Sequence, residues 1–155
     1  MVWTLRDITA LCIVIFCADA CNSMVLPTFP LYARDLGASL TFIGILASFT
    51  GLSTAIFSVP SGLWSDRVGR RIPLTFGLLC YSASSFLYTF ATNPYHLLPA
   101  RLLAGLAQCS SFPIGFAYAS EVESLSSRKW AIGLYMTSMG AGFTVGPVLG
   151  GWIAQ

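Results

Sequence analysis

Gly62-Leu63-Trp64-Ser65-Asp66-Arg67-Val68-Gly69-Arg70-Arg71 is the densest run of charge in the chain, and long apolar stretches stand on either side of it. Its two glycines permit close backbone approach. Asp66, Arg67, Arg70 and Arg71 crowd four ions into ten residues, which a hydrocarbon interior does not accept. The segment therefore reads as a compact charged turn between two helices that cross a membrane. Working outward, the same alternation of apolar run and short polar gap gives expected spans at 8–31, 41–61, 73–92, 96–120 and 130–154. Each is long enough to cross ~30 Å of hydrocarbon at ~1.5 Å per residue.

Composition agrees, since 55 % of the 155 residues are apolar and only 9 % are charged. A water-soluble domain of this size would lack the polar groups to cover its surface. The net charge of +2 sits in short clusters and does not form the broad basic face that nucleic acid requires. Cys12, Cys17, Cys21, Cys80 and Cys109 all fall inside apolar runs, where a thiol behaves as a small hydrophobe. Cys17 and Cys21 share a helical face, but no recognisable set of metal ligands accompanies them, and no metal site is expected. Pro27, Pro60, Pro99, Pro113 and Pro147 lie within or near the ends of the spans, a placement that membrane helices tolerate.

Arg6, Arg67, Arg70, Arg71, Arg128 and Lys129 fall on one side of this topology, Arg34 on the other, and Arg101 within a span. The bias of basic residues places the amino terminus in the cytoplasm, and the expected location of this multi-pass protein is the plasma (inner) membrane. A cleavable leader ending near Ala18-Asp19-Ala20 is the competing reading. The aspartate and the further apolar stretch through Leu31 argue against it.

The charged segment resembles the signature loop of the major facilitator superfamily, matched at Gly62, Ser65, Asp66, Arg67, Gly69, Arg70 and Arg71, with Trp64 in place of the commoner leucine. Arg101 with Gly105 and then Gln108 resembles the pattern of that family's fourth helix. Gly142, Gly146, Pro147, Gly150 and Gly151 resemble its antiporter-associated motif in the fifth. Glu121, Arg128, Ala131 and Gly133 fit the connection after span four, although Lys129 stands where glycine is common. The resemblance covers essentially the whole chain. It implies an all-α integral membrane fold, namely the first five transmembrane helices of a six-helix half, embedded in the lipid bilayer and completed by a carboxy-terminal half as partner.

Asp19 lies near the middle of span one with Asn22 and Ser23 following on its face. Arg101 and Gln108 share a face of span four, and two such polar stripes facing each other would line a cavity. The plain reading is that Asp19 and Arg101 only hold helices together. The functional one makes Asp19 a proton-binding group and Arg101 the residue that tunes its charge. Likewise, Gly142, Gly146 and Gly150 serve either helix packing or the antiporter role that the resemblance implies. His96, Tyr95 and Trp152 read as interfacial residues. No metalloprotease, nucleophile-elbow or phosphate-loop pattern is present, and Gly140-Ala141-Gly142 lacks the strand a dinucleotide loop needs. An enzyme is not expected. The resemblance implies a small-molecule transporter, foremost a proton-coupled exporter of drugs or other organic molecules. No cofactor is expected other than the proton as coupling ion. The alternatives are a sugar or metabolite symporter or uniporter, and a nontransporting membrane subunit.

Overall fold

The computed structural model describes residues 5–122 and 125–153, with side chains from Ile8 onward except at 125, 126 and 153. The chain folds into five long helices: α1 (Leu5–Asp35), α2 (Leu40–Val68), α3 (Arg71–Thr89), α4 (Leu97–Ser120) and α5 (Leu125–Ile153), with a single 3-10 turn at Pro94–His96 before α4. Among the described residues, four stretches are long and apolar enough to cross a membrane: Ile8–Asp35, Leu40–Val68, Pro94–Ser120 and Ser127–Trp152. The fifth helix, α3, carries Thr75, Tyr81, Ser82, Ser84 and Ser85, hydroxyls that dilute its apolarity. Ala154, the last residue of the expected fifth span, lies outside the described residues.

The helices run past their apolar cores because helical hydrogen bonding does not stop where hydrophobicity does. The charged segment shows this most clearly and corrects the expected turn. Gly62 to Val68 are helical, and only Gly69 and Arg70 separate α2 from α3. Nothing in Gly62–Val68 breaks a helix, whereas Gly69 at φ +88° and ψ 159° adopts a conformation almost reserved for glycine. The other reversal is equally local. Gly37 at φ +88° ends α1, donating to Arg34 O at 2.8 Å while Ala38 donates to Ala33 O at 2.9 Å, the bond pair of a Schellman cap. Ser39 then caps α2 by accepting from the Phe42 amide at 3.2 Å.

Packing divides the helices into two groups. α1 lies along α5, while α2 and α3 flank α4, which is the most buried helix. Small residues let backbones meet. A Cβ added at Gly142 or Gly146 would strike the α1 backbone at Phe16 and Ala20, and one at Gly150 would strike Met24. Gly105 sits likewise against Thr50 and Ser53 of α2, and Gly77 against Ser110 of α4. Hydroxyls then lock the seams onto backbone carbonyls: Ser53 to Leu102 O at 2.9 Å, Ser84 to Ala100 O at 2.8 Å, and Tyr135 to Phe112 O at 2.8 Å. One apolar cluster (Leu11, Ile15, Leu74, Ile114, Tyr118, Ala119, Tyr135) lies toward the charged end and another (Phe29, Ala33, Leu46, Ala91, Leu97) toward the opposite end. Ile13, Leu52, Val59, Leu79, Val148 and Trp152 point outward, a surface suited to lipid and not to water.

The seam between α1 and α5 makes a direct test. Gly146→Ala should lower the thermal midpoint in detergent, because overpacking costs roughly 1–3 kcal/mol. Gly151 faces open space, so Gly151→Ala should leave the midpoint unchanged or raise it, with a gain in stability of up to ~1 kcal/mol through helix propensity. Equal midpoints for the two variants would contradict the seam.

Candidate functional site

At the charged end, Arg70 is the centre of the arrangement. Its Nη1 lies 2.5 Å from Asp66 Oδ1, its Nε lies 2.8 Å from Glu121 Oε1, and Nη1 also donates to Ser65 Oγ at 3.0 Å. One guanidinium therefore joins the last turn of α2, the start of α3 and the end of α4, which the planar fork of arginine allows and lysine would not. Burial works against its charge, but the hydrogen bonds and attraction from Glu121 and Asp66 outweigh that effect and hold Arg70 above the ordinary arginine value. Arg71 Nε donates to the Tyr118 hydroxyl at 3.2 Å, and Arg128 Nε donates to Val122 O at 3.1 Å across the α4–α5 connection. Arg67 is exposed.

The glycines of this segment do different work from the close approach expected of them. Gly69 supplies the positive φ, whereas the Cβ position of Gly62 meets nothing within 4 Å. Gly62 leaves an open patch on the surface of α2.

Within the membrane-spanning helices the expected polar residues separate. Asp19 is half-buried at the middle of α1, its Cβ is close to Gly142 of α5, and Tyr81 and Tyr135 lie within electrostatic reach of its carboxylate. Asn22 is also half-buried. Ser23 is fully buried, and its hydroxyl sits 2.6 Å from Asp19 O and 3.2 Å from Gly142 O. It thus spans the α1–α5 seam. Gln108 turns toward α2, where its Oε1 accepts from the Thr54 hydroxyl at 3.2 Å. Gly142, Gly146 and Gly150 form the α5 side of the α1 contact, Pro147 is half-buried beside them, and Gly151 points away.

Arg101 does face α1, but not Asp19. Its guanidinium carbon stands 3.3 Å from the centroid of the Phe29 ring, ten residues beyond Asp19 and so roughly 15 Å farther along the helix. Both salt bridges found among the described residues belong to Arg70, and the Arg101 Nε is buried with no hydrogen-bond partner there. An arginine at the centre of a span costs roughly 2.5–3.5 kcal/mol on insertion scales, and Arg101, in the second turn of α4, bears less than that. An aromatic face returns about 0.5–2 kcal/mol of that. Beside it a cavity of about 520 Å³ opens between α1, α3 and α5, lined by Thr28, Phe29, Tyr32 and Tyr88 among others.

Phe29, Tyr81, Tyr88, Tyr118 and Tyr135 went unmarked in the sequence because an aromatic body counts as apolar. A usable signal was present for Tyr118 and Tyr135, since a buried tyrosine hydroxyl usually finds a partner, here Arg71 and Phe112 O; Phe29 carries no such signal, and the Tyr88 hydroxyl is buried without a partner. The Arg70 cluster gives a prediction of its own. Asp66 and Glu121 are 59 % and 45 % exposed, so a double-mutant cycle of Arg70→Ala with Glu121→Gln should return a coupling of no more than ~1 kcal/mol. Thermal midpoints measured in low and high salt should show that coupling shrinking with salt. A larger, salt-indifferent value would contradict this reading.

Comparison with known proteins agrees with this architecture. Residues 11–155 match the Major Facilitator Superfamily. Multidrug resistance protein 1 of Bacillus subtilis (strain 168) is 30 % identical over 132 residues, covering 85 % of this chain and 34 % of the relative. Multidrug resistance protein 2 of the same strain is 29 % identical over 140 residues, covering 90 % and 35 %. Quinolone resistance protein NorA of Staphylococcus aureus (strain MRSA252) is 26 % identical over 132 residues, covering 85 % and 34 %. The chain thus spans about a third of the length of these relatives. With a family match over almost all of its length, on helices suited to lipid, this multi-pass membrane protein belongs to the Major Facilitator Superfamily.

Proposed function

We propose that this chain forms the amino-terminal part of a proton-coupled exporter of drugs or other small organic molecules, working with a further part of the transporter. The observation that carries the reading is its match, over 85–90 % of its length, to relatives named for multidrug resistance. The chemistry of the bundle supports it. Asp19 places a carboxyl at mid-helix in a polar layer between two apolar clusters. A group in that position binds a proton when one face of the bundle is wetted and releases it when the other is, which couples proton movement to a conformational change.

Arg101 acts on Asp19 through space and not by contact. At an offset of roughly 15 Å or more and an effective dielectric near 20, two unit charges interact by no more than about 1 kcal/mol, against about 4 kcal/mol at 4 Å. Arg101 therefore biases the field around the proton site without occupying it. The Arg70 cluster, with Asp66 and Glu121, is a conformational clasp of modest strength, and an interaction near 1 kcal/mol biases two states of similar energy without freezing either.

The reading includes a plasma-membrane location with the Asp66–Arg71 end in the cytoplasm, because basic residues concentrate there. Labelling of single cysteines by a membrane-impermeant reagent on intact cells should reach Asn93 and not Val68. Labelling of both from the same side would break the assignment.

The transport reading is tested at Asp19. In the full chain reconstituted into liposomes, Asp19→Asn should keep drug binding within a few fold, abolish drug flux driven by a proton gradient, and flatten the pH dependence of binding. Proton-driven flux at the wild-type rate with its pH dependence intact would move the proton site elsewhere.

A further inference from the structure

Arg101 is a half-buried cation, its Nε buried without a hydrogen-bond partner, for which no carboxylate stands within ion-pair distance among the described residues, and the group that holds it is an aromatic ring on another helix. Phe29 is itself 4 % exposed and therefore fixed by its surroundings. Tyr88 of α3 meets its ring edge-on, with centroids 6.2 Å apart and planes at 62°. The Tyr32 hydroxyl donates to Tyr88 O at 2.7 Å, tying α1 to α3 one turn beyond the ring. Pro27 and Pro30 bracket Phe29 within α1 and fix the backbone dihedrals on both sides of it.

From this geometry we propose that Phe29 is the positioning residue for Arg101. The inference rests on the transport reading above for what Arg101 does, though not for how Arg101 is held. A carboxylate partner would orient the guanidinium but cancel its charge. An aromatic face orients it through the ring quadrupole and leaves the full positive charge in place. In a bundle where Arg101 acts on the proton site only through space, that difference decides whether it acts at all. α1 and α4 also touch lightly compared with the α1–α5 and α4–α2 seams. The Arg101–Phe29 stack is one contact across the join between the two helix groups, at the end away from the Tyr135 hydrogen bond to Phe112 O.

The experiment compares Phe29→Leu, Phe29→Tyr and Phe29→Trp with wild type in the full chain. The first measurement is proton-driven ethidium flux in liposomes. Phe29→Leu should lower the maximal rate by roughly three- to thirtyfold, while Tyr and Trp, which keep an aromatic face, should stay near the wild-type rate. If Phe29 were only filler, the bulkier Trp would damage flux more than Leu, and that order would overturn the proposal. The second measurement does not depend on transport: the rate at which phenylglyoxal modifies Arg101, followed by mass spectrometry with the exposed Arg67 as internal standard. Phe29→Leu should raise that rate several fold and Phe29→Trp should not. An unchanged rate in Phe29→Leu overturns the proposal even where flux falls. A raised rate in a protein whose wild type moves no ethidium supports the positioning role and instead defeats the transport reading.

Discussion

Lipid gives apolar helices almost no reason to associate, so everything in this bundle depends on how closely backbones can approach and on what the hydroxyls between them find to bond. Three seams answer that constraint in one chemical language. A glycine or serine removes the bulk, and a hydroxyl on one helix donates to a carbonyl on the next: Ser53 to Leu102 O, Ser84 to Ala100 O, Ser23 within reach of Gly142 O. Each such bond satisfies a side chain that hydrocarbon cannot solvate and leaves the helical ladder intact, because a carbonyl oxygen has a second lone pair. The central position of α4 follows from its supply of small residues. Ala100, Ala104, Gly105, Ala107, Ser110 and Ser111 are all buried, and they accept α2 on one side and α3 on the other.

Much of this was legible in the sequence for physical reasons that can be named. Length and apolarity mark the spans because the bilayer is a slab of fixed thickness, and the spacing of Gly142, Gly146 and Gly150 marks a single face because helical periodicity is local. What periodicity does not encode is the helix that a face will meet. Arg101, Gly105 and Gln108 share a stripe on α4, yet Arg101 reaches α1 while Gly105 and Gln108 lie against α2. The partner is a tertiary choice made by whichever neighbour offers a matching surface. The charged segment was misread for a related reason. Its ions suggested a loop, but charge at a helix end is compatible with helix, and only the conformation of Gly69 stops α2. Gly151 illustrates the limit from the other direction, since it adjoins Gly150 in sequence and yet points away from the seam.

The polar groups are distributed along the bundle instead of being gathered at one point. Arg70, Asp66 and Glu121 hold one end through exposed ions, Asp19 stands in the middle beside Tyr81 and Tyr135, and Arg101 rests on Phe29 toward the other end. Had Asp19 and Arg101 met, the pair would have been a buried salt bridge. Such a pair is costly to break and unsuited to the proton exchange proposed for Asp19. Their separation leaves Asp19 free of a fixed counter-ion.

That separation also bears on which parts of the bundle can move. The α1–α5 and α4–α2 seams are made of backbone in near contact, where a sliding motion would drive atoms into one another. The join between the two groups is lighter. It is spanned by the Tyr135 hydrogen bond to Phe112 O, by the two apolar clusters and, toward the end away from the charges, by the Arg101 guanidinium resting on the Phe29 ring. A bundle built this way has two closely packed units joined by fewer contacts, the tightest of them at Tyr135 against Gly115. Any motion between the two groups is best accommodated at the α1–α4 join around Phe29, with the glycine seams and the Arg70 cluster, which lies within the α2–α3–α4 group, carried along as rigid bodies.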